Sequence, residues 1–418
     1  MPPNEHSKPR AVALAGRVTQ ESPVIEYGSQ MPGSRRAAAP ADDSLLPPCL
    51  VDSAVAFAEM LNDVRGEPIV AIDTESDSLY RYYHKVCLVQ ISTARVDYLV
   101  DPLRLPDIAP LGPIFADPGV EKVFHAAEND ILLLQRDFEF RVVSVFDTML
   151  AARILGRPKV SLAGLLDERY GIELDKRMQL TDWGHRPLTP KQLSYARLDT
   201  HFLLPLRGML ETELRDAGRW REAQEAFAAL LHVSYVEKPF DLEGFWRNRE
   251  ARNLSPVELA ALKELYLWRD QQSRSWNRPP FKVLSDEMLV RLSREQPRQP
   301  ADLPLDARQA REFGPAILAA IARARTAPVP APPVRPQNGD GRPDPATLNR
   351  YDRLREWRTR RASERGVEAD VVLTNQVLMS IARAAPVNLS QLSALGVMGA
   401  WKLEEYGPEL LHALVTES

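Results

Sequence analysis

The stretch Ile69-Val70-Ala71-Ile72-Asp73-Thr74-Glu75-Ser76 decides the fold prediction for this chain. Its first four residues are apolar and mostly β-branched, which favours a buried strand, and two carboxylates follow with one residue between them. Because side chains alternate along a strand, Asp73 and Glu75 should point to the same face. A divalent cation is the usual way to hold two buried like charges together. A strand that ends in an acidic, solvated turn explains the same pair, so both interpretations stay open at this point.

Length and composition exclude several classes of protein. A chain of 418 residues is too long for one ordinary core, so two or three domains are expected. No apolar run has the length of a membrane span, so we expect no membrane partner. The two cysteines, Cys49 and Cys87, have no CxxC neighbour, which argues against a disulfide scaffold or a zinc site and favours a cytoplasmic location.

The distribution of charge is more informative than the net charge of −4. The part after about residue 240 is rich in arginine, which leaves the acidic excess to the first half. An acidic site joined to a basic appendage fits an enzyme that acts on a polyphosphate. Arginines on solvated helix faces, paired with acids, would give the same composition.

The pattern of elements predicts an α/β domain over residues 49–235, after a disordered leader over residues 1–48. Strands at 69–76, 86–92 and 96–100 should form a meander, and a further strand is expected at 121–125. Helices are expected at 51–64, 105–115, 130–137, 148–155, 161–170 and 190–217. Strands that first form a meander and then alternate with helices imply a mixed sheet with helices packed on its faces.

Two more acidic elements follow in this domain. Asp130 sits where a strand gives way to a helix, at the sheet edge that Asp73 would share if the two strands run parallel. Tyr195 and Asp199 are four residues apart in a periodic helix and therefore share a face. Each has a structural alternative: an acid in the first turn of a helix for Asp130, and a local hydrogen bond or exposed pair for Tyr195 and Asp199.

Taken together, Asp73-Thr74-Glu75, Asp130, and Tyr195 with Asp199 resemble the three motifs of the DEDD exonuclease family in its tyrosine branch. Residues 174–188, just before the third motif, are similar to ribonuclease D. The resemblance covers roughly residues 51–233 and implies a ribonuclease H-like fold. Ser76-Asp77 departs from the aromatic or apolar residue that many ribonuclease D proteins carry there, which leaves open how the terminal nucleotide is wedged.

The resemblance also implies a function, a metal-dependent 3′→5′ exoribonuclease that trims structured RNA such as tRNA precursors and acts as a monomer. Two Mg²⁺ or Mn²⁺ ions would be held by Asp73, Glu75, Asp130 and Asp199, with Asp73 bridging them, and Tyr195 would orient the attacking water. A 3′→5′ DNA exonuclease is an alternative, because carboxylates that bind phosphate do not sense the 2′-hydroxyl. A noncatalytic nucleic-acid-binding protein that keeps the fold is another.

Several neighbouring residues invite a functional interpretation. Lys176, Gln179 and Arg186 are candidates for contacts with the substrate backbone, against simple pairing with Asp175 and Asp182. The structural interpretation is the better one for three others: Asp147 as a helix cap, His125 as a packed residue and Trp183 as part of the core.

The rest of the chain predicts two helical appendages. Residues 277–289 resemble the signature of the HRDC domain, which implies a small all-α bundle over residues 236–325. A Pro-rich linker over 326–346 precedes a second, divergent HRDC-like bundle over 347–418. Arginines in both bundles could grip RNA or could serve packing, and we leave the two open: Arg269, Arg274, Arg278, Arg355, Arg358 and Arg360.

Overall fold

The computed structural model describes residues 47–332 and 343–415. The predicted leader therefore lies outside the described residues except for its last two positions, as does the middle of the predicted linker. Within the described ranges, no helix combines the length and apolar character needed to cross a bilayer.

A single mixed sheet forms the frame of the N-terminal part. Its strands are β1 (Cys49–Val51), β2 (Ile69–Ser76), β3 (Val86–Ser92), β4 (Asp97–Val100), β5 (Glu121–Phe124) and β6 (Val145–Asp147). They lie in the order β1-β4-β3-β2-β5-β6. The pairs β2/β3 and β3/β4 are antiparallel, as the meander predicts, whereas β1/β4, β2/β5 and β5/β6 are parallel. The sequence did not predict β1 and β6, because a strand of three residues is too short to show a period.

The central strands β2 and β3 set the position of the first acidic pair. Every residue of β3 is buried, so its apolar character on both faces is explained by layers on each side of the sheet. The register places Asp73 opposite Gln90 and Glu75 opposite Leu88, and it shifts directly after Glu75. Such a shift bends the strand and re-aims the side chains beside it.

Helices pack on both faces of this sheet. They are α1 (Ala54–Val64), α2 (Gly112–Ala116), α3 (Glu128–Phe138), α4 (Thr148–Ile154), α5 (Leu162–Tyr170), α6 (Pro190–His201), α7 (Leu203–Asp216) and α8 (Trp220–Leu230). We call the part from residue 47 to residue 233 the α/β unit.

Three helix predictions need correction. The helix expected from residue 51 begins at Ala54, because the Ser53 side chain caps its first turn. The helix expected over 105–115 is reduced to a 3₁₀ turn and the short α2, in a segment interrupted by prolines. The long helix expected over 190–217 is two helices that meet at Phe202.

Two helical bundles follow the α/β unit. The first bundle contains α9 (Pro256–Trp276), α10 (Pro280–Val283), α11 (Asp286–Glu295) and α12 (Ala307–Ala324). The second bundle contains α13 (Pro345–Arg365), α14 (Ala369–Val372), α15 (Asn375–Ala384), α16 (Leu389–Ala394) and α17 (Ala400–Val415). Each bundle has its own apolar core.

The two bundles repeat one internal design. In the first, Arg269 is buried and donates to the Leu284 carbonyl at 2.8 Å; in the second, Arg358 is buried and donates to the Leu373 carbonyl at the same distance. Both guanidinium groups thus tie a long first helix to the segment before the next helix. For Arg269 and Arg358 the packing interpretation is therefore correct, and RNA contact is excluded by burial.

The other four candidate arginines differ in whether their charge is paired. Arg274 donates to Asp270 at 2.7 Å on the same helix, so its charge is already paired. Arg278, Arg355 and Arg360 are exposed. These three have no ion-pair partner among the described residues, so the RNA-grip interpretation stays open for them, and their charges are available in a way that the paired charge of exposed Arg274 is not.

The second bundle is anchored to the α/β unit by a buried ion pair. Arg365 at the end of α13 donates to Glu222 of α8, with one of these bonds at 3.0 Å, and the Glu222 side chain is 1% exposed. Arg219 adds a hydrogen bond of 2.8 Å to the Arg365 carbonyl. Glu225 of α8 accepts hydrogen bonds from the backbone N–H of Trp401 at 2.6 Å and of Lys402 at 3.3 Å, so it caps α17 from another part of the chain.

The first bundle contacts a different place, the loop 77–85 that continues β2. Tyr82 donates to Asp270 at 2.6 Å, and the Tyr83 backbone N–H donates to Asn277 at 2.9 Å. The loop itself is organised by Asp77, which is fully buried and accepts the Lys85 backbone N–H at 2.8 Å. Asp77, the departure noted in the sequence, thus shapes the loop from inside the protein.

We predict that Glu222→Ala lowers the stability of the folded chain far more than Arg221→Ala. Removing one partner of a buried ion pair leaves the other charge without compensation, which costs about 3–5 kcal/mol. Arg221 is the matched control, since its pair with Glu404 is two-thirds exposed on both sides and should contribute less than about 1 kcal/mol. Urea unfolding followed by circular dichroism measures both variants. Equal shifts of the two midpoints would contradict the anchoring role of the buried pair.

Candidate active site

Three carboxylates meet above the end of β2. Asp73 and Glu75 come from the strand itself, and Asp199 comes from α6, which packs across β2, β3 and β4. One oxygen of each lies within 4.8 Å of one oxygen of the others. Oxygens this close can share one cation. The structure therefore brings together residues that are separated by more than a hundred positions in the chain.

Asp130, the fourth predicted acid, lies beside this group but is not one of the three oxygens that share it. It belongs to the first turn of α3, directly after β5, the parallel neighbour of β2. Thr74 donates its hydroxyl hydrogen bond to Asp130 at 2.5 Å. The residue between the two acids of β2 therefore holds the acid of α3.

Burial acts on the ionisation of all four acids. Desolvation, and then the charges of neighbouring carboxylates, raise the pKa of Asp73 and of Glu75 well above their usual values. Burial raises the pKa of Asp130 to about 7 and that of Asp199 to about 8. In the described part of the chain, no lysine or arginine forms an ion pair with any of the four. The ionised group therefore needs positive charge from outside the protein.

The donor set fits a hard divalent cation. All candidate ligands are carboxylate oxygens, which Mg²⁺ and Mn²⁺ prefer, and there is no sulfur or imidazole ligand in the cluster. The raised pKa values agree with this donor set. Without a cation the acids resist ionisation, and a bound cation would favour the ionised form of each.

Tyr195 lies one helical turn before Asp199 and is 6% exposed. The Tyr195 hydroxyl, as a hydrogen-bonding neighbour, partly offsets the effect of burial on the pKa of Asp199. Burial and the nearby acids raise the pKa of Tyr195 above its usual value. The phenol therefore stays protonated at neutral pH and can orient a water molecule but cannot act as a general base.

A buried polar network fixes α6 on the sheet. Arg197 donates to Asp97 of β4 at 2.9 Å, and the His201 ring lies 2.8 Å from the same carboxylate. Ser92 and Thr200 share a hydrogen bond of 2.7 Å. These contacts flank Tyr195 and Asp199 along the helix and so determine where both side chains lie.

Sequence reasoning missed one residue of this site, Gln90. It is completely buried in β3, and its amide nitrogen donates to Asp73 at 3.3 Å. Its amide oxygen has no hydrogen-bond partner among the described residues. A glutamine inside the apolar run Val86-Cys87-Leu88-Val89-Gln90-Ile91 is the signal that could have found it, since a buried amide in a core strand needs a partner.

The three predicted substrate contacts have different surroundings. Arg186 is not free to bind a phosphate, because its five N–H groups are used by Asp101 and by backbone carbonyls of Cys87, Trp183 and His185. That prediction is wrong, and Arg186 instead ties the segment before α6 to the sheet. Lys176 and Gln179 are exposed, so a contact with the substrate backbone stays a prediction for both.

The structural interpretation holds for the other three. Asp147 caps α4 by accepting the N–H groups of Met149 at 2.8 Å and Leu150 at 3.0 Å. His125 hydrogen-bonds to Thr148 at 2.9 Å, and burial lowers the pKa of its imidazole to about 4, so the ring is neutral. Trp183 is 1% exposed and packs against the ring of Tyr195.

Comparison with known families covers both kinds of domain. Residues 49–215, which contain all four acids and Tyr195, match the model of a family described as 3′-5′ exonuclease. Residues 258–321 and 347–414 each match the model of the HRDC domain. The predicted fold class, an α/β domain with a mixed sheet followed by two all-α bundles of the HRDC type, is confirmed.

Individual relatives agree with this assignment. The chain is 36% identical over 266 residues to the exosome complex exonuclease RRP6 of Saccharomyces cerevisiae, a match that covers 60% of this chain and 36% of the relative. It is 29% identical to ribonuclease D of Pseudomonas paraeruginosa, over 86% of this chain and 95% of that one. The chain spans about a third of the length of the first curated relatives it matches.

A solved structure shows the same arrangement along most of the chain. Ribonuclease D of Escherichia coli, described as an exoribonuclease involved in structured RNA processing, superposes with a TM-score of 0.62 at 25% identity. The superposition covers 88% of this chain and 99% of that one.

We predict that the stability of the metal-free chain falls as pH rises. Between the unfolded pKa of about 4 and the folded values of about 7 for Asp130 and about 8 for Asp199, the folded state keeps protons that the unfolded state releases. The thermal unfolding midpoint in EDTA should therefore decrease across this range. Added Mn²⁺ or Mg²⁺ should restore the midpoint more at the alkaline end, because it binds the ionised acids.

Asp199→Asn provides the internal comparison for this measurement. It should flatten the pH dependence and reduce the metal-induced shift, whereas Asp216→Asn, at an exposed position of α7, should leave both unchanged. A metal-induced shift of the same size in Asp199→Asn and in the unaltered chain would contradict the proposed ligand set.

Proposed function

We infer that this chain, a homologue of ribonuclease D with a 3′→5′ exonuclease domain and two HRDC domains, is a metal-dependent 3′→5′ exoribonuclease. The observation that carries the inference is the meeting of Asp73, Glu75 and Asp199 within 4.8 Å inside the region that matches the exonuclease family. The division into residues 49–235, 236–325 and 347–418 belongs to the same proposal and is supported by the separate apolar cores.

Four acids would hold the cations. We propose that Asp73, Glu75 and Asp199 would hold one Mg²⁺ or Mn²⁺ ion and that Asp130 would help to hold a second. When bound, such ions lower the pKa of an attacking water and offset the charge that develops on the phosphate. The buried oxygens supply the ligands, and the exclusion of lysine and arginine from the group leaves its negative charge available for this purpose.

The remaining side chains orient the reacting groups. Tyr195 carries a protonated hydroxyl beside Asp199, so it can donate to or accept from a water molecule poised for attack on the terminal phosphodiester. Gln90 holds the Asp73 carboxylate through its amide, and Thr74 holds that of Asp130. These contacts fix ligand oxygens before the substrate arrives, which lowers the cost of reorganisation during the reaction.

RNA is the substrate we propose, in particular a single-stranded 3′ end on a structured molecule such as a tRNA precursor. The support is the description of the Escherichia coli relative as an exoribonuclease involved in structured RNA processing, together with the HRDC domains of this chain. We further propose that the chain acts as a monomer in the cytoplasm, where its two cysteines, both free thiols in the structure, stay reduced.

We predict that Asp73→Asn and Asp199→Asn each slow the release of mononucleotides by roughly a thousandfold or more, because each removes part of the charge that holds the cations. Tyr195→Phe should be milder, since it removes an orienting hydroxyl and leaves every ligand. The measurement is the product ladder of a 5′-labelled oligoribonucleotide with Mg²⁺ and with Mn²⁺. Near-normal turnover by Asp73→Asn with titrated metal would exclude this mechanism.

A matched pair of substrates addresses the nature of the nucleic acid. We predict faster shortening of an RNA 3′ overhang than of a DNA overhang with the same sequence, because only RNA offers the 2′-hydroxyl as an additional donor and acceptor. Equal rates, or faster loss of DNA, would favour a DNA exonuclease. Tight binding of RNA without any metal-dependent release of nucleotides would favour a noncatalytic binding protein.

A further inference from the structure

An exposed surface at the junction of the α/β unit and the first bundle is not used by the proposed chemistry. We define this junction surface by Arg81, Tyr83, Leu180, Arg278 and Lys282. Arg81 and Tyr83 come from the loop after β2, Leu180 from the 3₁₀ turn Lys176–Leu180, and the other two from the start of α10 and the residues before it. Three separate parts of the chain therefore build one surface.

Specific contacts hold the three parts together. The Lys282 ammonium lies over the ring of Tyr80, 3.3 Å from its centroid, and the Tyr80 hydroxyl donates to the Leu180 carbonyl at 2.7 Å. The Tyr82 and Tyr83 rings meet edge to face with centroids 5.0 Å apart, while Tyr82 is held by Asp270. The Tyr83 ring is thus supported from behind while its own surface stays open.

The chemistry of this surface is cationic and aromatic. Tyr83 is 60% exposed and Leu180 is 65% exposed, so an apolar and an aromatic side chain are both open to a ligand here. Arg278 and Lys282 are exposed, and the Arg81 side chain is 35% exposed, so three cationic side chains belong to this surface. Asp182, 3.5 Å from Arg81, is the acid that faces them.

The surface begins next to the candidate active site. Leu180 belongs to the same 3₁₀ turn as Met178, which packs in one apolar cluster with Tyr195. The Leu180 carbonyl accepts from Tyr80, Lys282 lies over the Tyr80 ring, and the Tyr83 backbone N–H donates to Asn277, the residue before Arg278. This series of contacts leads from Tyr195 to the exposed ring of Tyr83.

We propose that the junction surface binds the single-stranded RNA segment immediately upstream of the 3′ terminal nucleotide. Tyr83 offers a ring on which a base stacks, and Arg278 and Lys282 contact the phosphates on either side. This inference deepens the proposed function and rests on it for the identity of the ligand. RNA would contact the first bundle where this bundle meets the loop 77–85, and not the arginines of the second bundle.

The second bundle supports this assignment by contrast. Two arginines of α13 are already paired within the protein: Arg365 with Glu222 of α8, and Arg361 with Glu405 at 2.9 Å. Arg360 is exposed on the same bundle and remote in sequence from the loop 77–85. It therefore provides a matched control for Arg278, with the same charge and the same class of exposure.

The test is direct binding by the full chain in EDTA, so that no cleavage occurs. The probe is a 5′-fluorescent oligouridylate, and its anisotropy is followed over a range of salt concentrations. Loss of one stacked base should weaken binding of Tyr83→Ala by about fivefold to a hundredfold, and Tyr83→Phe should restore it. Arg278→Ala should reduce the slope of log K against log salt by about 0.7, the value for one phosphate of a single strand.

Controls separate this proposal from loss of structure and from the proposed nuclease activity. Thermal midpoints of Tyr83→Ala and Arg278→Ala should equal that of the unaltered chain, since both side chains are exposed, and Arg360→Ala should bind normally. With Mg²⁺ present, the oligouridylate should be cleaved more slowly by Tyr83→Ala and Arg278→Ala than by the unaltered chain, and Arg360→Ala should cleave it at the normal rate.

The outcomes are distinguishable. Unchanged binding and salt slope in Tyr83→Ala and Arg278→Ala, with RNA still degraded, would overturn the junction surface and leave the nuclease standing. Weakened binding in these variants, in a chain that releases no nucleotides with either metal, would support the surface and overturn the nuclease. Equal effects of Arg278→Ala and Arg360→Ala would also overturn the proposal, because they would show diffuse electrostatic attraction and no defined path.

Discussion

The structure depends on four carboxylic acids that lie together at a partly buried site, where no lysine or arginine of the described residues forms an ion pair with any of them. Desolvation and mutual repulsion oppose the ionised state of each, so the group is unfavourable in the isolated fold and becomes favourable when an external divalent ion binds. Much of the surrounding architecture serves to hold these acids where they would otherwise repel. β2 supplies two, α3 and α6 supply one each, and hydrogen bonds from Thr74 and Gln90 hold two of the carboxylates.

The placement of α6 shows how a distant network governs the site. Asp97 binds Arg197 and His201 on one side of the helix, and these contacts lie within one turn of Asp199. The network has no part in the chemistry, yet a shift of the helix by one residue would carry both Tyr195 and Asp199 away from β2. Catalytic geometry here is therefore a property of helix docking as much as of the acids themselves.

The residues and their resemblance to the DEDD motifs predicted the order of most elements and singled out Asp73, Glu75 and Asp199, whose oxygens the structure brings together. The ligand role of Asp130 and the orienting role of Tyr195 stay predictions. Sequence reasoning failed where the signal is not local. Strands β1 and β6 are too short for periodicity, and Gln90 becomes meaningful only when the register sets it opposite Asp73. Arg186 looked like a phosphate ligand because a sequence does not show that five acceptors surround it. The six candidate arginines could not be distinguished from the sequence. The structure shows that Arg269 and Arg358 are buried, whereas Arg278 is exposed.

Glu225 has a consequence for anyone who wishes to divide this protein into pieces. Its carboxylate caps the N-terminal end of α17, a helix of the second bundle. Val371 of that bundle also belongs to the same apolar cluster as Phe146 and Phe227 of the α/β unit. A fragment that stops before residue 345 would keep Glu222 and Glu225 as solvent-facing acids on a newly exposed apolar face. The second bundle therefore covers an apolar face of the α/β unit. We expect its removal to lower the stability and the solubility of the part that remains.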